Sequence, residues 1–520
     1  MHRHPGLSRR AWTRLALTMA LAPWMRATAA AGPAPVWRRD PFSLGVASGQ
    51  PRPDSVVLWT RLAPEPLEPL GGVGAARVDV VCEVFGDAAL RQRVWQATLT
   101  TDAERGFSVH AVPTGLRPGR EYWYRFRSGE AVSPLGRTRT APAESALVPR
   151  LRLALASCQH FEQGHYAAHR EIAGEDLDLV LFVGDYIYES TNPRYRIREH
   201  RGGVPQSLDE YRLRHAQYKS DADLRAAHAA HPWILTWDDH EVVNDYAGDR
   251  DNRYTDPALF LRRRAAAYRA YFEHLPLRFG PDPLTGGLRI HDRYPWGRLA
   301  DLWTLDCRQF RSPHACPDPV RGGGRVVMGC DELADASRSM LGAAQERWLA
   351  EGLAASTRTW KLVAQATQVS STGVDTPVGR STFTEAWDGY PVARQRLLQS
   401  ISDTGRSDVV LLGGDVHMNV AARLRLRPND PASPVVASEI VTTSISSRGL
   451  GDSALARIRE SNPDIVHARS DERGYTRIDL SPEALEATFR ATPHPAAPDA
   501  QLHTQARFRI AHGAPEVRPV

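Results

Sequence analysis

Five short blocks of this chain gather metal-binding and acid–base side chains, each directly after an apolar run. In Ala156-Ser157-Cys158-Gln159 the thiol of Cys158 can ligate a metal as thiolate, although taken alone it reads as a buried structural thiol. In Gly184-Asp185-Tyr186-Ile187-Tyr188-Glu189 the glycine lets the backbone turn sharply and a ligand approach. Asp185 has two oxygens with which to bridge two cations. Tyr188, three residues on, offers a phenolate of the kind that suits ferric iron. The block from Trp237 to Asp245 (W-D-D-H-E-V-V-N-D) places four acids, a histidine and an asparagine in nine residues. Asp238, Asp239 and Asn244 supply hard oxygen donors suited to Ca²⁺ or Mg²⁺, and His240 can act as an acid or stabilise developing charge. In Leu305-Asp306-Cys307-Arg308-Gln309-Phe310-Arg311 the planar fork of Arg308 can hold phosphate oxygens; the alternative is an ion pair with Asp306. In Gly413-Gly414-Asp415-Val416-His417-Met418, Asp415 and His417 are two apart, hence on one side of an extended segment, and can address one metal; a satisfied core histidine is the alternative.

The elements around these blocks explain how they could meet. Leu151 to Ala156, Leu177 to Val183, Trp233 to Trp237, Leu299 to Leu305, Trp360 to Ala366 and Val409 to Leu412 are near-continuous apolar runs, as expected of strands buried on both faces. They alternate with helical stretches, the pattern of a layered α/β fold, in which ligand sites form at strand ends. Ser207 with Glu210 makes a capping box, and Asp256 before Pro257 makes a second helix start. Leu261, Ala265, Tyr268 and Phe272 are expected to form the apolar face of that second helix. Residues 39–142 read instead as all-β, with runs Ser55 to Thr60, Val78 to Phe85 and Glu121 to Phe126. The turn Gly115-Leu116-Arg117-Pro118-Gly119 before Tyr122, Tyr124 and Phe126 is similar to the corner of a fibronectin-like sandwich. After the linker Arg137 to Pro142, the second domain is expected over 150–495, closing on a hairpin of Tyr475 to Leu480 and Ala487 to Arg490, with 496–520 as a C-terminal segment.

Composition narrows the partners. The 65 basic and 60 acidic residues leave a net charge of +5 with no long basic run, so no nucleic-acid or anionic-membrane signal stands out. Ser8-Arg9-Arg10-Ala11-Trp12 precedes a mildly apolar stretch, Leu15 to Trp24, that is too short to span a bilayer, and Ala27-Thr28-Ala29 offers a cleavage site. Residues 1–31 therefore read as a twin-arginine-type signal peptide, the alternative being a general secretory signal. In an exported chain Cys316 and Cys330, which flank Gly322-Gly323-Gly324, are the candidate disulfide.

In combination and order, the five blocks resemble the PhoD-type alkaline phosphatases, within the calcineurin-like metallophosphoesterases and close to the purple acid phosphatases. Phe42-Ser43-Leu44-Gly45-Val46-Ala47-Ser48-Gly49 is similar to the start of that family's β-sandwich domain. The resemblance implies an α/β (α+β) fold with a two-sheet β core flanked by helices, preceded by a small fibronectin/immunoglobulin-like β-sandwich. It implies Fe³⁺ and Ca²⁺ as cofactors. Cys158, Asp185 and Tyr188 match iron-binding positions, joined by His417. Asp239 falls where related enzymes place a metal-binding asparagine, Asn244 and Asp415 look like further oxygen ligands, and His240 matches a phosphate contact. Two departures are Cys307, where the family often has a small hydroxyl residue, and Phe310, where a tyrosine is frequent. The implied function is that of an exported monomeric alkaline phosphatase, periplasmic or secreted. It would be carried by the twin-arginine export machinery and hydrolyse phosphate esters by attack of a metal-held hydroxide or oxide. Phosphodiesterase or phospholipase D-like cleavage would use the same residues, and a non-catalytic exported binding module is the reading from another class.

Overall fold

The computed structural model describes residues 35–520; the signal-peptide reading of residues 1–31 lies outside the described residues. Two large sheets lie face to face. The first has ten strands, in the order Val517–Pro519, His503–Ala511, Ala484–Pro493, Glu472–Leu480, Leu151–Ala156, Leu179–Val183, Pro232–Thr236, Val46–Gly49, Val57–Arg61, Ser108–Ala111. The second has seven, in the order Asp292–Trp296, Ala300–Thr304, Trp360–Ala364, Val409–Gly413, Val435–Val441, Asn419–Arg425, Ile465–Arg469.

Side chains alternate across a strand, so each apolar run feeds two cores. Leu153, Leu155, Leu181, Val183 and Ile234 of the first sheet meet Leu302, Leu362, Val410, Leu412 and Ile440 of the second. The opposite faces, with Ala154, Val180, Phe182 and Leu235 on one side and Trp303, Val363 and Leu411 on the other, are covered by helices. Pro257–His274 and Leu208–Lys219 cover the first sheet; Ala343–Ala355 and Pro391–Asp403 cover the second. Burial on both faces is why these runs show no polar alternation.

The capping box at Ser207 and Glu210 forms, and Asp256 accepts the first amides of Pro257–His274. The buried stripe of that helix differs from the expected one. Tyr268 is buried and Phe272 packs on the core as expected, but the stripe also takes in Phe260, Arg263, Ala267, Ala270, Tyr271 and His274, and Leu261 faces solvent. Apolarity alone misplaces the stripe because Arg263 is inside it, its guanidinium donating to the Tyr211 hydroxyl (2.9 Å) and the Val242 carbonyl (3.3 Å).

Arg77–Phe85, Arg93–Asp102 and Glu121–Ser128 form the main strands of a third sheet that packs on Val46, Leu58 and Val109. At its corner the Tyr122 hydroxyl accepts from the Arg117 amide at 2.7 Å. Two divisions drawn from the sequence differ from the pairing seen. The second layer of the segment 39–142 is the edge of the ten-stranded sheet itself, because Val46–Gly49 pairs in parallel with Pro232–Thr236. At the other edge His503–Ala511 pairs with Ala484–Pro493, so 496–520 continues the same sheet. An exposed strand edge carries unpaired amides and carbonyls, and both terminal segments cover one. No helix among the described residues is long and apolar enough to cross a membrane.

Candidate metal centre

The blocks meet because their strands are parallel. Leu151–Ala156, Leu179–Val183 and Pro232–Thr236 run the same way in one sheet, and Ala300–Thr304, Trp360–Ala364 and Val409–Gly413 do so in the other. Their C-terminal ends open onto one rim between the sheets, and the loops leaving them carry the candidate residues. The backbone is forced there. Cys158 (φ 59°), Asp185 (59°), Asp245 (58°), Asp415 (64°) and His417 (54°) all sit in the left-handed region that side chains other than glycine rarely adopt. Gly184 is required: a Cβ on it would lie 2.6 Å from Cβ of Asp238.

Three groups of donors form a connected series, the donor atoms in each lying within 4.8 Å of one another: Cys158, Asp185 and His417; Asp185, Asp239 and His240; Asp239, Asp245 and Glu385. Asp185 belongs to the first two and Asp239 to the last two, the arrangement bridging carboxylates would have. The Tyr188 hydroxyl joins the first group, donating to Asp185 Oδ2 at 2.7 Å and lying 3.1 Å from His417 Nε2. Ser447 donates to the same phenol oxygen at 2.9 Å. His417 Nδ1 is 2.7 Å from the Arg448 carbonyl; it donates its proton there, which leaves the Nε2 lone pair facing the group.

The donor set fits cations. Asp185 Oδ1 is buried and has no hydrogen-bond partner. Burial pushes the Asp185 carboxyl well above its usual range, with Asp239 and Asp238 adding to this against the opposing pull of His240. Asp415 is raised in the same way, by burial and then by Asp238 and Glu385, and Cys158 by burial and then by Asp185. Tyr188 follows, through burial and then Asp185 and Cys158. Acids that raise one another in this way are the groups a bound cation would ionise.

His240 is set apart. Its Nδ1 lies 2.6 Å from Glu189 Oε2, its ring stacks on Tyr188 at 4.1 Å between centroids, and Glu189 Oε1 accepts the Asn244 amide at 2.9 Å. Burial alone would favour the neutral ring, but Glu189, Asp239 and Asp185 outweigh it and hold the imidazolium well above its ordinary value. Asp415, expected as a further oxygen ligand, belongs to none of the three donor groups; its Oδ2 accepts from the Thr367 hydroxyl at 2.6 Å. Asn244 lines a cavity of about 570 Å³ beside Glu189.

Two further residues stand differently from what the motifs suggested. Arg308 is buried and faces carboxylates: Nε donates to Asp238, Nη1 to Glu385, and Nη2 is 3.8 Å from Asp239 Oδ2. It is a counter-ion inside the acidic rim through Nε and Nη1, while Nη2 makes no hydrogen bond. Asp238, expected among the metal ligands, is turned to Arg308 and belongs to none of the three donor groups. Nor is Asp306 the partner of Arg308 through an ion pair. It caps the turn, accepting the amides of Arg308 (3.0 Å) and Gln309 (2.9 Å) and the Trp237 indole (3.1 Å). Cys307 is buried, and Phe310 is half exposed. Cys316 and Cys330 are joined in a disulfide.

Four site residues escaped the motif reading. Glu189 and Asp245 stood inside quoted blocks, yet nothing local marked Glu189 as the partner of His240. Glu241 accepts the Tyr186 amide (2.6 Å) and the Asp238 amide (3.0 Å), tying two strand ends together. Glu385 carries no motif at all; it comes from the loop after Gly379–Phe383.

Residues 153–489 match the PhoD-like phosphatase family, and residues 27–142 match the PhoD-like phosphatase N-terminal domain. Alkaline phosphatase D of Bacillus subtilis (strain 168) is 40% identical over 483 residues, spanning 91% of this chain and 82% of that protein. The solved structure of PhoD superposes with a TM-score of 0.89 at 39% identity, covering 94% of this chain and 93% of that one.

Proposed function

Because the chain belongs to the PhoD-like phosphatase family and is a phosphoric ester hydrolase, we propose that its rim of donors holds ferric iron and calcium for phosphate-ester hydrolysis. In this reading Cys158, Asp185, Tyr188 and His417 hold the iron. Asp185 is shared with a calcium site that uses Asp239 and draws on Asn244 and Asp415. The observation that carries the reading is the convergence of Cys158, Asp185 and His417, far apart in the chain, within 4.8 Å, with the Tyr188 phenol against two of them. Phenolate and carboxylate suit a hard, highly charged iron, the thiolate and imidazole favour a transition metal over calcium, and the all-oxygen side suits calcium.

Such cations, when bound, make water more acidic and neutralise phosphate oxygens. The chain supplies the rest. Glu189 fixes His240 with Nδ1 occupied, so the proton on Nε2 faces the rim and is placed to reach the departing ester oxygen. Arg308 holds Asp238 and Glu385 through Nε and Nη1, which leaves Nη2 to reach a phosphate oxygen. Trp237 and Tyr268, stacked at 4.1 Å, wall the loop from behind.

Metal analysis of the protein from its own host, with its visible absorption spectrum, tests the reading. Iron with calcium and a phenolate-to-iron absorption band that Tyr188→Phe removes are expected. A colourless, iron-free and fully active enzyme would overturn the assignment. Phosphodiester cleavage is the second reading, favoured by the room beside Asn244; comparing a monoester with its diester separates the two. We place the enzyme outside the cytoplasm as a monomer, through a twin-arginine signal in residues 1–31. Replacing Arg9 and Arg10 by lysine should trap it in the cytoplasm.

A further inference from the structure

The cavity beside the metal rim has two sides of different chemistry. Glu189 and Asn244 line the side toward the rim; Arg253, Arg263 and Arg321 line it elsewhere, with Val320 at its edge. Glu189 is already committed to His240 and to the Asn244 amide. Arg263 is spent on the Tyr211 hydroxyl and the Val242 carbonyl, neither of which neutralises its charge. Among the described residues, the exposed guanidinium groups of Arg253 and Arg321 make no hydrogen bond and no ion pair.

Free surface arginines are common, but the turns that carry these two are built. The Asp251 carboxylate accepts the amides of Arg253 (3.1 Å) and Thr255 (2.9 Å) and the Thr255 hydroxyl (2.7 Å). The Asp318 carboxylate accepts the amides of Val320 (2.8 Å) and Arg321 (3.1 Å). The disulfide between Cys316 and Cys330 closes the loop that bears Arg321. The Tyr254 hydroxyl donates to the Asp318 carbonyl, which pins the two turns together, and Asp245 of the metal rim accepts the Gly324 amide at 3.0 Å. The nearby acids thus serve backbone amides, and the guanidinium groups are left over, held on fixed turns beside the rim.

We infer that Arg253 and Arg321 form a distal phosphate-recognition subsite, so that the enzyme selects phosphate esters whose alcohol carries a second phosphate group. The planar fork of arginine matches phosphate oxygens, and prefixed turns reduce the ordering cost of holding them. The scissile phosphate would lie at the metal rim, the connecting carbon chain would cross the cavity, and the second phosphate would sit between the two arginines. This inference rests on the phosphatase reading of the rim.

A matched pair of substrates tests it: propyl phosphate and propane-1,3-diol bisphosphate, with hydrolysis followed by phosphate release on the metal-loaded enzyme. The bisphosphate should be preferred in kcat/KM by about 10- to 100-fold, mainly through KM, and raising NaCl from about 50 to 500 mM should erode the preference. In the Arg253→Gln/Arg321→Gln variant the ratio of the two kcat/KM values should fall to within about threefold, and Arg321→Glu should lower it further. Wild-type enzyme that hydrolyses propyl phosphate without preferring the bisphosphate would overturn the subsite and leave the phosphatase reading standing. So would a preference that survives the double variant. Hydrolysis of neither substrate would remove both.

Discussion

Replacing His215 by phenylalanine isolates one buried proton-binding site that belongs to none of the donor groups. His215 lies on Leu208–Lys219, fully buried, its ring stacked on His274 at 5.1 Å, and neither ring nitrogen has a hydrogen-bond partner. Burial, then the neighbouring Lys219, Arg61 and Arg214, push its pKa from 6.5 down to about 3. The folded ring therefore stays neutral while the unfolded one takes up a proton as pH falls below 6.5. Stability is complete above the unfolded pKa and is lost as pH falls toward the folded one. Across the 1.5 units from 6.5 to pH 5, at 1.36 kcal/mol per unit, the loss is about 2 kcal/mol, and at pH 8 it is near zero. Phenylalanine fills the same space and cannot take a proton. Its packing effect is common to both conditions, so the change in unfolding free energy on substitution should be about 2 kcal/mol more favourable at pH 5 than at pH 8. Urea unfolding followed by tryptophan fluorescence at the two pH values reads this directly. An equal effect at both would mean that the folded ring protonates normally, and the argument from burial would fail. His110 and His231, each lowered to about 4 by burial, add losses of the same sign. Wild-type protein should accordingly unfold steeply in mild acid.

At the rim, Asp185→Asn should lower phosphatase turnover on the order of a thousand-fold and reduce bound iron and calcium together, read by kinetics and metal analysis. Glu189→Gln should lower kcat about 10- to 100-fold with metal content retained, since it loosens His240 and leaves the donor groups intact. Arg308→Met removes the cation between Asp238 and Glu385; the cost should be about 3–5 kcal/mol in urea unfolding, and a loss under about 1 kcal/mol would show that those carboxylates are neutral. Cys316→Ser/Cys330→Ser opens a loop of sequence separation 14 and should cost about 3 kcal/mol under the same assay.

The strands, and the blocks at their ends, were legible in the chain because both are local. Leu151–Ala156 and Trp360–Ala364 are apolar runs buried on both faces, and the polar residues that follow them must leave the sheet. The capping box at Ser207 and the corner at Tyr122 are local for the same reason. The choice between equivalent partners was not legible. Nothing near Arg308 distinguishes Asp306, two residues away, from Asp238 or from Glu385, which lies 77 residues on; only the stacking of two sheets puts all three within reach. The stripe of Pro257–His274 shifted for a similar reason, because the Tyr211 hydroxyl that admits a buried Arg263 comes from another helix. Composition and spacing therefore named most of the donors. Parallel strand direction and sheet-on-sheet packing decided which donors face one another, since electrostatic pairing depends on distance through space and a sequence records only distance along the chain.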